Sequence, residues 1–287
     1  MKPAPFRYLR PQSQEEAVEA LADYGEEARV LAGGQSLVPM MNLRLARPGV
    51  LVDINRIAEL GILEQRNGEL VLGAIVRHRQ LERDPRVTAA CPILSQAAAH
   101  IGYPAIRNRG TVGGSLAHAD PAAELCCVLL ATGCTAVLES TRGRREVAVQ
   151  GLFVGPYTTC LRPDELLVEV RVPALSDHAR WGFAEFALHE GGFALALAAC
   201  VVHLDGEGRV TSARIALGGV GPVPVRLRKA EESLQDGPLS EDRIAEAASF
   251  ALLVEGYDDV HAPAWYRRRL AGWVVRQALL QAARGGS

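Results

Sequence analysis

Ala32-Gly33-Gly34-Gln35-Ser36 and Thr111-Val112-Gly113-Gly114-Ser115 are the two stretches on which the reading of this chain turns. Each follows an extended segment, places Gly-Gly beside a small hydroxyl residue, and runs into helix-prone sequence. Glycines have no Cβ, so backbone N–H groups can converge on phosphate oxygens, and a following helix N-terminus adds favourable partial charge. A tight turn accounts for one Gly-Gly. Two in matching settings predict a pair of loops that grip one pyrophosphate from both sides.

The rest of the composition narrows what such loops could serve. The chain has 287 residues, enough for two or three units that each bury a core. Its net charge is −2 with signs mixed along the chain, and aromatics make up 5%, so there is neither a basic stripe nor a stacking platform for nucleic acid. The start, Met1-Lys2-Pro3-Ala4-Pro5, lacks the apolar core of a signal peptide, and no run of about 18 apolar residues occurs. A cytoplasmic protein without membrane insertion is expected. Cys91, Cys126, Cys127, Cys134, Cys160 and Cys200 show no C-x-x-C spacing and sit mostly among apolar or small residues, which reads as buried reduced thiols. The histidines are scattered, so no metal or iron–sulfur ligand set is expected in this chain.

Working outward from the first loop, residues 6–10 and Val30-Leu31 read as strands, and Ser13-Gln14-Glu15-Glu16 is a capping box for a helix with Ala17, Val18, Leu21 and Ala22 on one face. Leu37 to Leu45 is helix-like and Val50-Leu51-Val52-Asp53-Ile54 is an apolar strand. The loop therefore falls at the C-terminal end of a strand in a small α/β unit, where ligands of such units bind. From Ile62 the pattern changes to hairpins: Asn67-Gly68 separates two strand-like runs, and 135–140 and 146–149 flank the turn at 141–144. Helices are expected near 92–100 and 121–131, with the second glycine loop between them. A polar stretch around Ser176-Asp177-His178 suggests a boundary. Beyond it, Ala194–Leu204 and Arg209–Gly218 bracket a hairpin turn, and 226–235, 240–254 and 264–284 read as helices, the last stacking Tyr266, Leu270, Trp273, Val274 and Ala278 on one face.

Other nucleotide chemistries are absent by motif. There is no G-x-x-x-x-G-K-[ST], no G-x-G-x-x-G after a strand with an acidic residue further on, and no G-x-S-x-G elbow. The stretch Ala32-Gly33-Gly34-Gln35-Ser36-Leu37 with Val52-Asp53-Ile54 downstream, together with the run from Arg107 through Thr111-Val112-Gly113-Gly114-Ser115 to Asp120-Pro121-Ala122-Ala123-Glu124-Leu125, resembles the FAD-binding medium subunit of the molybdenum hydroxylases. That family includes carbon monoxide dehydrogenase and the flavin portion of xanthine dehydrogenase, and the resemblance covers the whole length.

It implies an α+β fold: a two-part FAD-binding domain of the vanillyl-alcohol-oxidase (PCMH) type, and a small C-terminal α/β domain with antiparallel sheet and helices. The expected units are 1–58, 59–176 and 177–287. By the same resemblance 32–36 with Leu37, and 111–115, look like the two pyrophosphate cradles, acting through backbone N–H groups. Glu124 falls where relatives place a carboxylate that accepts from cofactor hydroxyls, although near a helix N-terminus it also suits the dipole. Asp120 before Pro121 reads as a cap for that helix. Ile101 falls where an apolar side chain meets the flavin, Leu166-Leu167 where a leucine touches the ring, and Phe193 where a side chain covers the isoalloxazine. Core packing would also account for each of them. The chain departs from the family segment twice: His189 stands where Arg is common, and Gly192 where Asp is common.

What the resemblance implies for function is an FAD-binding electron-transfer subunit of a heteromeric oxidoreductase. Electrons would arrive from [2Fe-2S] clusters on a small iron–sulfur subunit, themselves fed by a molybdopterin site on a large subunit, and leave to an external acceptor. A dimer of heterotrimers, a heterohexamer, is the expected assembly. No catalytic acid–base residue and no metal ligand is expected in this chain. The alternatives are a free-standing FAD oxidase or dehydrogenase of the vanillyl-alcohol type, and a cofactor-free scaffold of the same fold.

Overall fold

Ser13 starts the first helix as the sequence requires: its Oγ accepts from the Glu16 N–H at 3.1 Å. The Glu16 carboxylate reaches back to the N–H of Gln12, at 2.7 Å, one residue earlier than in the usual capping box. In the computed structural model, which describes residues 1–285, this helix, α1 (Gln14–Tyr24), joins β1 (Arg7–Leu9) to β2 (Ala28–Leu31). A short α2 (Leu37–Asn42) then leads to β3 (Val50–Asp53), and the strands form a parallel sheet in the order β1-β3-β2. The helix ends earlier than the expected Leu45. Leu43 and Leu45 are exposed, and Arg44 takes a positive φ of 60°, so no apolar face is left to continue.

The second sheet is antiparallel, ordered β4-β5-β10-β6-β7. Its strands are β4 (Leu63–Arg66), β5 (Glu69–Gly73), β6 (Thr135–Ser140), β7 (Gly143–Ala148) and β10 (Leu166–Pro173), with a small β8 (Phe153–Gly155) and β9 (Thr158–Thr159) pair beside it. Asn67 and Gly68 both have positive φ, 54° and 78°, the twist that a two-residue hairpin turn needs. Between β5 and β6 the chain forms six helices where two were expected: α3 (His78–Arg83), α4 (Pro85–Ala90), α5 (Pro92–His100), α6 (Pro104–Arg107), α7 (Val112–His118) and α8 (Glu124–Thr132). Three of them begin on a proline, whose fixed φ suits a first helical position and whose missing N–H costs nothing there. Those prolines were the available signal for the short ones.

The third sheet is ordered β11-β12-β13-β14, with β11 (Ala179–Ala187), β12 (Ala194–Leu204), β13 (Val210–Gly218) and β14 (Val225–Arg226). It is followed by α9 (Arg228–Ser233), α10 (Glu241–Ser249) and α11 (Ala264–Ala283). β11 was not anticipated. It pairs along its whole length with β12, which is buried on both faces because α8 packs on one side and α11 on the other. Leu197 and Ala199 accordingly belong to the core of the first two sheets, and Leu195, Ala196, Ala198 and Cys200 to that of the third. On α11 the buried face holds Leu270, Val274 and Ala278 as expected, while Trp273 is 47% exposed and Arg267 is buried instead. Arg267 keeps its charge inside by donating to Leu195 O, Gly219 O and the Asp259 carboxylate, at 3.0, 2.7 and 2.6 Å.

Five of the six cysteines are buried and Cys160 is half-buried; all six are free. Burial pushes the Cys91 and Cys200 thiols up to about 12, so they are inert packing groups at neutral pH.

Candidate functional site

The first glycine loop leaves β2 and turns into α2 with its donors open. The backbone N–H groups of Gly33, Gly34, Gln35, Ser36 and Leu37 donate to no acceptor among the described residues. The loop is held by other means: Gln35 Nε2 donates to Gly33 O at 3.2 Å, and Gly34 takes φ +73°, a conformation costly for any residue with a Cβ. A Cβ on Gly33 would overlap the carbonyl oxygen of Arg109, which belongs to the approach to the second loop. The two loops therefore touch at Gly33.

The second loop is built differently. Thr111 is the N-cap of α7, its Oγ1 accepting from the Gly114 N–H at 3.1 Å. The N–H groups of Val112, Gly113 and Ser115 are also engaged, with Val76 O, Ala74 O and Thr111 O at 2.9, 2.9 and 3.0 Å. Only the Thr111 N–H in this stretch donates to no acceptor among the described residues. The sequence suggested two equivalent cradles. In the structure the first supplies donors, and the second supplies a capped helix end and close approach. A Cβ on Gly113 would lie 2.7 Å from Ala74 Cβ, and one on Gly114 would lie 2.6 Å from the capping hydroxyl.

His78 fixes the second loop from below. Its Nε2 lies 3.0 Å from both Thr111 O and Ser115 Oγ, its backbone N–H donates to Gly110 O at 3.0 Å, and its ring fills the space where a Gly110 side chain would be. Burial pushes the imidazole down to about 4, so it is neutral near pH 7; Nε2 carries the proton that Thr111 O accepts, and Nδ1 is left without a partner.

A polar relay joins the loops. Asn55 Nδ2 donates to Ala32 O at 2.8 Å and to Asp53 Oδ1 at 2.6 Å, and Tyr8 donates to the same aspartate. Arg77 Nη2 donates to Asn55 Oδ1 at 2.6 Å and its Nη1 to Arg109 O at 2.5 Å. Burial, and then the charge of Arg109, pull the Arg77 guanidinium below its ordinary value. Asn55 and Arg77 had no signal in the sequence beyond their polarity.

The remaining expected positions fall in two groups. Glu124 opens α8 and is 8% exposed; burial, then the neighbouring Glu185, pushes it up to about 8. Asp120 does not cap that helix, which starts after Ala123; its Oδ1 accepts from the Ala122 N–H at 2.9 Å and shapes the turn before it. Ile101 ends α5, its carbonyl held by Arg107 Nη1 at 3.1 Å. Leu166 and Leu167 lie in β10 at 2% and 3% exposure, inside the core. Phe193 is the opposite case: at 78% exposure it has no core to fill. Its loop is tied to the start of α6 by Tyr103, whose OH donates to Glu190 O at 2.9 Å and whose ring packs where Gly191 lacks a side chain. His189 makes no salt bridge among the described residues, and its ring lies where a Cβ on Gly192 would be.

Open N–H donors on a loop, a capped helix beside it, and a buried carboxylate further along the chain fit the chemistry of a dinucleotide flavin. Residues 4–175 match the model of the FAD binding domain in molybdopterin dehydrogenase, and 181–282 that of the CO dehydrogenase flavoprotein C-terminal domain. The chain is 42% identical to the 6-hydroxypseudooxynicotine dehydrogenase complex subunit alpha of Paenarthrobacter nicotinovorans, over 98% of this chain and 96% of that one. It superposes on a chain of carbon monoxide dehydrogenase from Hydrogenophaga pseudoflava with a TM-score of 0.95 and 39% identity, covering 99% of each. For quinoline 2-oxidoreductase from Pseudomonas putida 86 the TM-score is 0.94 and the identity 38%, again over 99% of each chain. The resemblance carried by the two glycine motifs is thus matched along the whole chain, which belongs to the FAD-binding medium subunits of the molybdenum hydroxylases.

Proposed function

We propose that this subunit holds one FAD between the two glycine loops, receives electrons from [2Fe-2S] clusters of a small partner subunit, and passes them to an external acceptor. A large molybdopterin subunit would complete a heterotrimer, paired into a heterohexamer in the cytoplasm. The reading divides the chain at 58/59 and 176/177. No helix among the described residues is long and apolar enough to cross a membrane.

Bound FAD supplies the redox chemistry. This chain's residues bind and orient it. Gly33 to Leu37 present N–H donors to the pyrophosphate, Arg77 and Arg109 set positive charge beside it, and Glu124 accepts from cofactor hydroxyls. Phe193, held out from the third sheet and braced by Tyr103, covers the ring against water. No group of three or more His, Cys, Asp or Glu that could hold a metal occurs among the described residues.

The observation that carries the reading is the set of open N–H groups from Gly33 to Leu37, on a loop that touches the approach to the capped end of α7. Affinity capture of the tagged chain from its native host, followed by acid release of flavin and metal analysis, tests it. One FAD per chain with iron and molybdenum in the captured complex is expected. A lone flavoprotein that oxidises a small alcohol or amine without either metal would overturn it.

A further inference from the structure

We propose that Glu185, on the third sheet, is a second carboxylate of the flavin site, accepting alongside Glu124 from hydroxyl groups of the ribityl chain. The proposal rests on the reading that FAD is bound here.

Alternation along β11 sets where Glu185 points. Ala184 and Phe186 face the core under α11, where Phe186 meets the Tyr266 and Trp273 rings edge-on. Phe183 and Glu185 face the other way, toward α5. There the Phe183 ring meets His100 at 5.2 Å, and Glu185 Oε2 lies 3.8 Å from His100 Nδ1, too far for a hydrogen bond. The Glu185 side chain is 7% exposed, and its Oε2 is buried without a hydrogen-bond partner.

Among the described residues no donor comes within hydrogen-bond distance of Glu185 Oε2, and negative charge lies close by. Glu124 is buried nearby with Asp120 behind it, and burial pushes Glu124 up to about 8 and Glu185 up to about 7. His100 is no counter-ion at neutral pH, because burial and then the Arg107 charge lower it. Arg107 itself is committed to Glu82 at 2.9 Å and to two carbonyls at the end of α5. Buried acceptors call for donors, and the ligand chemistry that fits is a polyol chain bringing several O–H groups. The position agrees: His100 precedes Ile101, Glu185 is near enough to Glu124 for its charge to raise that carboxyl, and the same strand leads into the loop of Phe193. The carboxylate would thus come from the third unit to a cofactor gripped by the first two.

The test uses the full chain stripped of flavin, titrated with FAD and with FAD analogues deoxygenated at single ribityl positions. Glu185→Leu is expected to weaken FAD binding at least tenfold, and to remove the penalty that the native chain shows for one of the deoxy analogues. Should Glu185→Leu fail to fold, Glu185→Met carries the same comparison, keeping the length of the side chain without an oxygen that can accept. A folded variant that binds FAD as tightly as the native chain, or that keeps every analogue penalty, overturns the role of Glu185. Failure of the native chain itself to bind FAD overturns the flavin reading instead.

Discussion

Arg77 Nη2 donates to Asn55 Oδ1 at 2.6 Å, and this one bond links the carbonyls of the first glycine loop to the backbone before the second. Asn55 holds Ala32 O, and Arg77 holds Arg109 O, so each loop is braced by a side chain that also reaches the other's brace.

Asn55→Ala and Arg77→Ala are each expected to weaken FAD binding about tenfold, roughly one hydrogen bond to a charged group, or about 1.4 kcal/mol. The double variant should lose much less than the sum, since either substitution already breaks the relay. Titration of flavin-free protein measures all three. Strict additivity would show that the two residues act separately.

Gly33→Ala is expected to abolish FAD binding while the helices remain, because the added methyl meets the Arg109 carbonyl and pushes the loops apart. Gly206→Ala, in a hairpin turn where a Cβ meets nothing within 4 Å, is the matched control. Flavin absorbance and circular dichroism of the purified variants decide it.

Phe193→Ala should leave thermal stability unchanged, against the roughly 3–5 kcal/mol that a buried Phe would cost, since the ring is already 78% exposed. Flavin fluorescence and oxygen reactivity should change while FAD stays bound. A drop in melting temperature of several degrees would return this residue to the core-packing account.

The flavin-free chain is expected to lose stability as pH rises from about 6.5 to 8. Glu124 and Glu185 are pushed up to about 8 and about 7, so the folded state holds protons that the unfolded state has released. Their contribution is complete below the ordinary carboxylate range and fades as pH passes those values. His78 works with the opposite sign: held down at about 4, it stabilises fully above about 6.5 and loses that contribution as pH falls toward 4. Above pH 6.5 the carboxyls therefore act alone. Glu124→Gln should flatten the decline, by up to about 2 kcal/mol over that window. Chemical denaturation at fixed pH steps is the measurement, and an unchanged slope would place the Glu124 carboxyl in contact with solvent.

Glycine made the two adjoining loops legible in the sequence, because Gly33, Gly34, Gly113 and Gly114 mark where backbone must come close or turn against its preference. The unequal division of labour between the loops was not legible. Whether an N–H is open depends on Val76 and Ala74, which reach the second loop from the turn after β5, and no local pattern records that. Asn55, Arg77, His78 and Glu185 escaped for the same reason: each is an ordinary polar residue in its own segment and acquires its role from partners far along the chain. The prolines before α4, α5 and α6 were a readable local signal. β11 was not, since its mixed residues make sense only once α5 and α11 are known to cover its two faces.

β12 is a wall common to two rooms. Its side chains alternate between the core under α8 and the core under α11, so separating the third sheet from the second would strip apolar surface from both at once. Such a seam has no give in it. In the reading proposed above, access to the flavin would then not depend on the third sheet swinging away, and would be left to the rim where the Phe193 loop and Tyr103 meet.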